Sequence, residues 1–486
     1  MWLKRDLRLR DHQPLCNAIA LGNPIVIAYV IEPWQHLDGH MRTRHWRFIM
    51  QSIEDMQQEL GKFNHQVTIC QADIVKLLDA WSIAGLSHIF SHQEIGLAHS
   101  FLRDKEVLGF CNRSNINWQE SPYGAVLRPL SNRLNWRKHW YGRIKEGVYD
   151  PDLSSLETLK LPKSQLAELP YQISNKALPS KWFTEHKRFQ KGGEKLAWYT
   201  LHDFFKERGK HYFGNIGKPE RARHTCSRLS PYLAWGNISI KQAFQVARQH
   251  RNRDGWARSV EALCSRLSWH CHFIQKFESE HEIEHRPVNH AYQAFEYDNS
   301  HASETMLDAW KTGNTGIPII DASMRALIQT GYLNFRMRAM LVSFLCHHLN
   351  IDWKRGVTHL GSLFLDFEPG IHYPQFQMQA GITGTNTIRI YNPIKQSEDK
   401  DPEGIFIKKW VPELSNVPKE YIHEVHLIPP IEAQLIDFDV EKDYVLPIVD
   451  VNERAKLARD RLWQFRKRMD VKAEAKRILK AHTVPN

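Results

Sequence analysis

The periodicity of the chain changes once, about a third of the way along, and that change decides its architecture. Before it, short runs rich in β-branched residues alternate with helix-spaced segments. Pro24–Pro33 contains the run IVIAYVIE, and Gln66–Ala72 (QVTICQA) and His88–Ser91 (HIFS) repeat the pattern. Between them, Arg44–Leu60 and Ile74–Ala84 carry apolar residues at helical spacing. This alternation predicts a parallel sheet with crossover helices. From about Trp182 onward helical spacing dominates, with candidates at Gly193–Glu207, Ser239–Gln249, Ala257–Phe277, Ala322–Gln329 and Asn334–Leu349. Asn452–His482 reads as one long charged helix, either a solvated face or a contact for DNA or a partner.

Tyr149–Pro179, rich in Pro, Ser and Lys, marks the junction. The expected organisation is a Rossmann-like α/β domain over residues 1–130, an inter-domain linker over 131–190 and an all-α domain over 191–486. At roughly 100–200 residues per domain, 486 residues support two or more. No Gly-x-Gly-x-x-Gly follows the first strand and no Walker loop occurs, so a dinucleotide site of the usual Rossmann kind is not expected.

Composition narrows the class. The seven Cys include no Cys-x-x-Cys pair, which argues for reduced thiols and a cytoplasmic protein rather than a disulfide framework or a zinc or iron–sulfur centre. The charged opening Lys4-Arg5-Asp6 is unlike a signal peptide, and no apolar run of about 18 residues could cross a membrane. A net charge of +11 favours polyanionic partners, because neutralised phosphates release counterions.

One motif is misleading. His281-Glu282-Ile283-Glu284-His285 fits the His-Glu-x-x-His zinc pattern. Arg286-Pro287 follows at once, and the residue before a proline disfavours helix. A charged loop is expected here, and no metal site anywhere in the chain.

Three blocks carry more. The first is WLKRDLRLRDHQPL (Trp2–Leu15). The second, Cys226-Ser227-Arg228-Leu229-Ser230-Pro231-Tyr232-Leu233 followed by Gly236, places small hydroxyls and backbone N–H groups where an anion such as a pyrophosphate could sit. The third runs from Trp310-Lys311-Thr312-Gly313 through Asp321, Met324-Arg325 and Thr330-Gly331-Tyr332 to Asn334-Phe335-Arg336-Met337-Arg338, then Ile351-Asp352-Trp353, Asp366, Asn392-Pro393 and Trp410–Leu414. In this order and spacing the chain resembles the DNA photolyase/cryptochrome family, most strongly between positions 226 and 415.

The resemblance implies a helical domain that binds FAD in a folded form. Light would excite the reduced flavin, and an electron would pass to a pyrimidine dimer and return after the dimer splits. It assigns Tyr212, Cys226, Ser227, Arg228, Leu229 and Ser230 to the cofactor, with an Arg338–Asp366 pair beside the flavin ring and His372 opposite its N5. On the lesion side it implies Arg266, Trp269 and His270 on one helix face, with Met378 across the cavity. The family's repair enzymes carry Glu-x-x-Trp-Arg there, so Arg266 and His270 depart from the pattern, as does Phe335 where an Asn is usual. The paired His of the (6-4) enzymes is replaced by Asn334-Phe335. The family's Trp series is also broken: Trp353 matches the middle member but Phe376 stands next to the flavin, so a route through Trp353, Tyr373 or Tyr391 is expected.

The expected function is therefore light-driven splitting of cyclobutane dimers in UV-damaged DNA by a monomeric, FAD-dependent photolyase. A cryptochrome-like photoreceptor without repair is the alternative, and dark redox activity a third. A second, antenna chromophore is common in the family; His92–Gly96, at the end of a predicted strand, is where one could bind.

Overall fold

The computed structural model describes residues 1–157 and 170–484. The predicted strands are present and parallel. β1 (Trp2–Leu3), β2 (Ile27–Ile31) and β3 (Val67–Gln71) pair in that order, with Trp2 opposite Ala28 and Ile27 opposite Val67. β4 (His88–His92) pairs with β5 (Asn117–Ser121). All five residues of β2 are buried, as a strand covered on both faces requires. The first four residues of β5 are exposed or half-buried, so its sequence carries no apolar run.

The connection between the domains is held in place over much of its length. Trp136–Lys145 is a helix whose Trp136, Trp140 and Ile144 share a core with Phe244, Leu267 and Cys271. Gln172 bridges Cys70 on the β3 edge, and Trp182 stacks on Trp46 with ring centroids 4.5 Å apart. Part of the predicted linker lies outside the described residues.

Helices make up the rest. The longest, Ala257–Ser279, packs along Pro369–Gln379. Pro318–Thr330 starts with proline in its first turn and ends on left-handed Gly331, the usual N-terminal Pro and C-terminal Gly arrangement. Two predicted helices are interrupted. Asn334–Leu349 resolves into an α-helix, Phe335–Ser343, followed by a π-helical turn, Phe344–His348. Asn452–His482 resolves into two helices, Val451–Arg466 and Met469–His482, each burying an apolar stripe and leaving most of its charged positions exposed.

The opening Arg-Asp-Leu-Arg block clamps the domains together. Arg5 Nε donates to the Ala234 carbonyl at 2.9 Å, Leu7 N to the Trp235 carbonyl at 3.1 Å, and Arg8 Nη1 to the Gly236 carbonyl at 3.1 Å. Gly236 has φ +73°, and a Cβ there would lie 2.2 Å from the Arg5 carbonyl oxygen. Only glycine allows this backbone approach.

Candidate flavin and lesion site

Four segments converge on one cavity of about 320 Å³: the Cys226–Ser230 turn, the Ala257–Ser279 helix, the start of Phe335–Ser343 and the Pro369–Gln379 helix. Tyr212, Cys226, Ser227, Arg228, Leu229, Ser230, Arg266, Trp269, His270, Arg338, Asp366 and His372 all line it. The fold thus brings together residues that lie up to 160 positions apart in the chain (212 to 372).

The turn at one end is built by residues that sequence reasoning missed. Arg208 Nη2 donates to the Ser227 carbonyl at 3.1 Å, and its Nη1 to the Cys226 carbonyl. Arg228 adopts a left-handed φ of +63°; its carbonyl accepts from Gln190 Nε2 at 2.8 Å, and its guanidinium lies 3.5 Å from the Tyr332 ring centre. No motif signals Arg208 or Gln190, because Arg208 acts through backbone atoms of the turn and Gln190 reaches Arg228 from 38 positions away.

At the other end, Arg338 Nη2 donates to Asp366 Oδ2 at 2.7 Å and its Nε to the Leu333 carbonyl at 2.7 Å. Burial alone would raise the Asp366 pKa, but the charge and hydrogen bond of Arg338 hold it below the ordinary value. Burial pushes His372 down to about 3 and, with the charge of Arg5, His270 down to about 4, so both rings are neutral at pH 7. His372 Nε2–H donates to the Val357 carbonyl at 2.8 Å, which leaves Nδ1 as an acceptor. Glu368, also on the wall and absent from the sequence expectations, accepts from the Tyr123 hydroxyl at 3.0 Å; burial raises its pKa.

The far wall corrects one expectation. The Pro369–Gln379 helix presents Ile371, His372, Gln375, Phe376 and Gln379 to the cavity, and Met378 is not among them. At about 3.6 residues per turn, Met378 falls about 20° beyond the Ile371 edge of that face. Gln375 and Gln379 stand where it was expected.

Among the described residues, five polar atoms around the cavity are buried without a partner: Arg228 Nη1, His270 Nδ1, Asn334 Oδ1, Asp366 Oδ1 and Gln375 Oε1. Buried polar groups are nearly always paired, so such a concentration marks the seat of a polar ligand. Donors at the Arg228 end suit phosphates, and the mixed set at the Arg338–Asp366 end suits a heteroaromatic ring edge. The residues fit FAD. At the mouth, Trp269 and Phe335 are 49 % and 47 % exposed, and the Arg266 guanidinium sits 5.3 Å from the Trp269 ring.

Two of the electron-transfer candidates, Trp353 and Tyr373, lie behind the wall. Trp353 is buried, its ring 6.5 Å from Phe376 and 6.4 Å from Tyr373. Tyr391 lines a separate hollow with Arg336, Arg389, Arg459 and Trp463.

The His-Glu-x-x-His segment is a single 3-10 turn, His281–Glu284, so its two His do not share an α-helical face. Among the described residues one group, Asp6, His12 and His92, is close enough for a shared ion. His12 Nδ1 accepts from the Leu15 N–H at 3.2 Å, which puts the proton on Nε2, the atom that faces Asp6. His92 Nδ1 is hydrogen-bonded to Asp6 Oδ2 at 2.7 Å, and His12 Nε2 lies 3.1 Å from the same oxygen.

The chain matches the family described as DNA photolyase over residues 1–133, and the FAD binding domain of DNA photolyase over residues 263–464. A deoxyribodipyrimidine photo-lyase of Alkalihalophilus pseudofirmus is 32 % identical across 94 % of this chain and 96 % of its own length. The chain belongs to the DNA photolyase/cryptochrome family. A cryptochrome DASH of Synechocystis is 25 % identical over 94 % of this chain and 96 % of its own. The crystal structure of a bacterial class III photolyase from Agrobacterium tumefaciens superposes with a TM-score of 0.81 at 25 % identity, covering 96 % of this chain and 97 % of that one. The α/β and helical domains are those of the family, and FAD is its cofactor. No helix among the described residues is long and apolar enough to cross a membrane.

Proposed function

We propose that this protein is a light-driven repair enzyme that splits cyclobutane pyrimidine dimers in DNA. The observation that carries the reading is the two-part cavity: a buried inner wall with unpartnered polar atoms, and a mouth flanked by the exposed aromatics Trp269 and Phe335. A base lifted out of the stack needs such apolar faces to receive it. When bound and reduced, FAD would supply on illumination the electron that opens the dimer.

The chain's own residues do the rest. Arg228, Ser227 and Ser230 would hold the phosphates. Arg338, with Asp366 fixing its orientation, would place positive charge beside the ring and favour its electron-rich form. Trp269 and Phe335 would stack on the lesion.

Two flanking hollows support a nucleic-acid partner. One, of about 690 Å³, shares Trp269 with the cavity and adds Arg137, Tyr141, Lys145 and Arg248. The other carries Arg336, next in sequence to Phe335, with Arg389, Arg459 and Trp463. Basic groups interleaved with aromatics track a sugar–phosphate backbone and stack its bases.

A photoreceptor reading has one observation in its favour. The helix that faces the mouth carries Arg266 and His270 where the family's repair motif has Glu and Arg. Dark binding separates the two: a repair enzyme prefers a dimer-containing oligonucleotide to its undamaged twin, whereas equal affinity for both would favour the photoreceptor.

A further inference from the structure

The buried phenol of Tyr373 has a base in position. Its oxygen lies 3.0 Å from His40 Nε2, and His40 Nδ1 lies 2.6 Å from Asp38 Oδ1. The Asp38 carboxylate oxygen also accepts the backbone N–H of His40 at 3.0 Å, which fixes the carboxylate against that side of the ring. A carboxylate at Nδ1 places the proton there, so Nε2 presents its lone pair and the Tyr373 hydroxyl donates to it. His40 is held further by stacking on Phe367, with ring centroids 4.6 Å apart and planes 9° from parallel. His40 and Tyr373 are 5 % and 3 % exposed, so bulk water does not take the place of the base.

Tyr373 also stands directly behind the cavity wall. Its ring is 5.8 Å from His372, which lines the cavity, and 6.4 Å from Trp353. A phenol is a difficult one-electron donor while it keeps its proton, because the product would be a buried cation. It becomes a usable donor when the proton can leave in the same event. Tyr391, the other tyrosine considered for the route, faces Arg336, whose guanidinium is 5.4 Å from its ring.

We propose that Tyr373, His40 and Asp38 form a proton-coupled electron relay that feeds the flavin site. The inference rests on the FAD photochemistry proposed above but not on DNA repair. The oxidant is the photoexcited, fully oxidised flavin. Tyr373 gives up one electron to it. The phenolic O–H bond breaks, the proton moves along the 3.0 Å hydrogen bond, and a new N–H bond forms at His40 Nε2. The chain then holds a neutral tyrosyl radical and an imidazolium paired with Asp38, and the flavin has gained one electron. Charge is conserved: one negative charge goes to the flavin and one positive charge to His40. Retreat of the proton and electron restores the starting state. The Phe at position 376, a poor carrier, is thereby bypassed, and the fold recruits the base from the α/β domain, 333 positions away in sequence.

The test uses FAD-loaded, oxidised protein illuminated at low temperature and read by electron paramagnetic resonance. A tyrosyl signal is expected in the unaltered protein and should vanish in Tyr373→Phe. His40→Gln, which keeps a hydrogen-bonding group but not a base, should lower the radical yield by about a hundredfold, the lower end of what a positioned base contributes to proton transfer. Forming the radical in D₂O should be slower than in H₂O for the unaltered protein and equal for His40→Gln. The flavin absorption bands and a melting curve show that each variant is folded and loaded. If Tyr373→Phe does not load, Asp38→Asn and the solvent isotope effect carry the test. Flavin photoreduction with a tryptophanyl signal alone, or a tyrosyl signal unchanged by His40→Gln, would overturn the relay. A tyrosyl signal in a protein that repairs no dimer would uphold the relay and remove the repair reading.

Discussion

Arg338 donates to one carboxylate oxygen of Asp366 at 2.7 Å, while the other oxygen, Oδ1, is buried on the cavity wall without a partner. The pair is thus half satisfied by the chain, and both residues line the cavity. Removing one member of a buried pair strands the other charge. Arg338→Met should therefore cost about 3 kcal/mol in a urea titration of the flavin-free protein, and Asp366→Asn about 1 kcal/mol. Equal costs for the two would show that the carboxylate is not the stranded group.

Trp269 is half exposed and sits on the rim of two hollows, so its removal should leave the fold intact. Trp269→Ala should weaken binding to dimer-containing DNA by about 1–3 kcal/mol, the contribution of one stacked base, in a fluorescence anisotropy titration. Unchanged affinity in a folded variant would place the lesion elsewhere.

Gly236→Ala should destabilise the protein by about 3 kcal/mol, since the residue has positive φ and the added methyl meets the Arg5 carbonyl. The domains should separate first, which limited proteolysis would detect as early cleavage between them. A melting point within a degree or so of the unaltered protein, about the effect of a neutral surface change, would contradict this.

The C-terminal helix is tied to the end of the Trp269 helix through Glu280, which accepts from Arg477 Nη1 at 2.7 Å and lies 2.6 Å from His482 Nε2. Burial would raise the Glu280 pKa, but His482 and Arg477 bring it down to about 2. A carboxylate whose folded pKa is depressed stabilises the fold above its ordinary pKa of about 4.5 and loses that contribution as pH falls toward 2. The screened contribution is about 1–2 kcal/mol. The helix should fray in that acid window, and Glu280→Gln should remove the pH dependence; hydrogen exchange along Met469–His482 reads both.

The parallel sheet was legible because β2 and β3 are buried on nearly every residue and so read as apolar runs. β5 was not, since an edge strand with exposed positions carries no such run. The long helix over 334–349 failed at Ser343 because a π-turn keeps helical spacing in the sequence while shifting the ladder by one residue. The walls of the cavity were legible where a motif holds them, at Ser227–Ser230 and Arg338. Met378 falls just beyond the edge of the lining face, a difference of helical phase that no motif fixes. Arg208, Gln190 and His40 were invisible because their partners are backbone atoms or side chains far along the chain.

Light-dependent repair decides whether this cavity splits dimers. Protein with its flavin reduced beforehand would be mixed with a thymine-dimer oligonucleotide, illuminated with blue light and compared with a dark control. Prior reduction removes any dependence on Trp353 or Tyr373. The dimer should be converted to two thymines in light only. An intact dimer after illumination, with the flavin still bound and reduced, would contradict the repair reading.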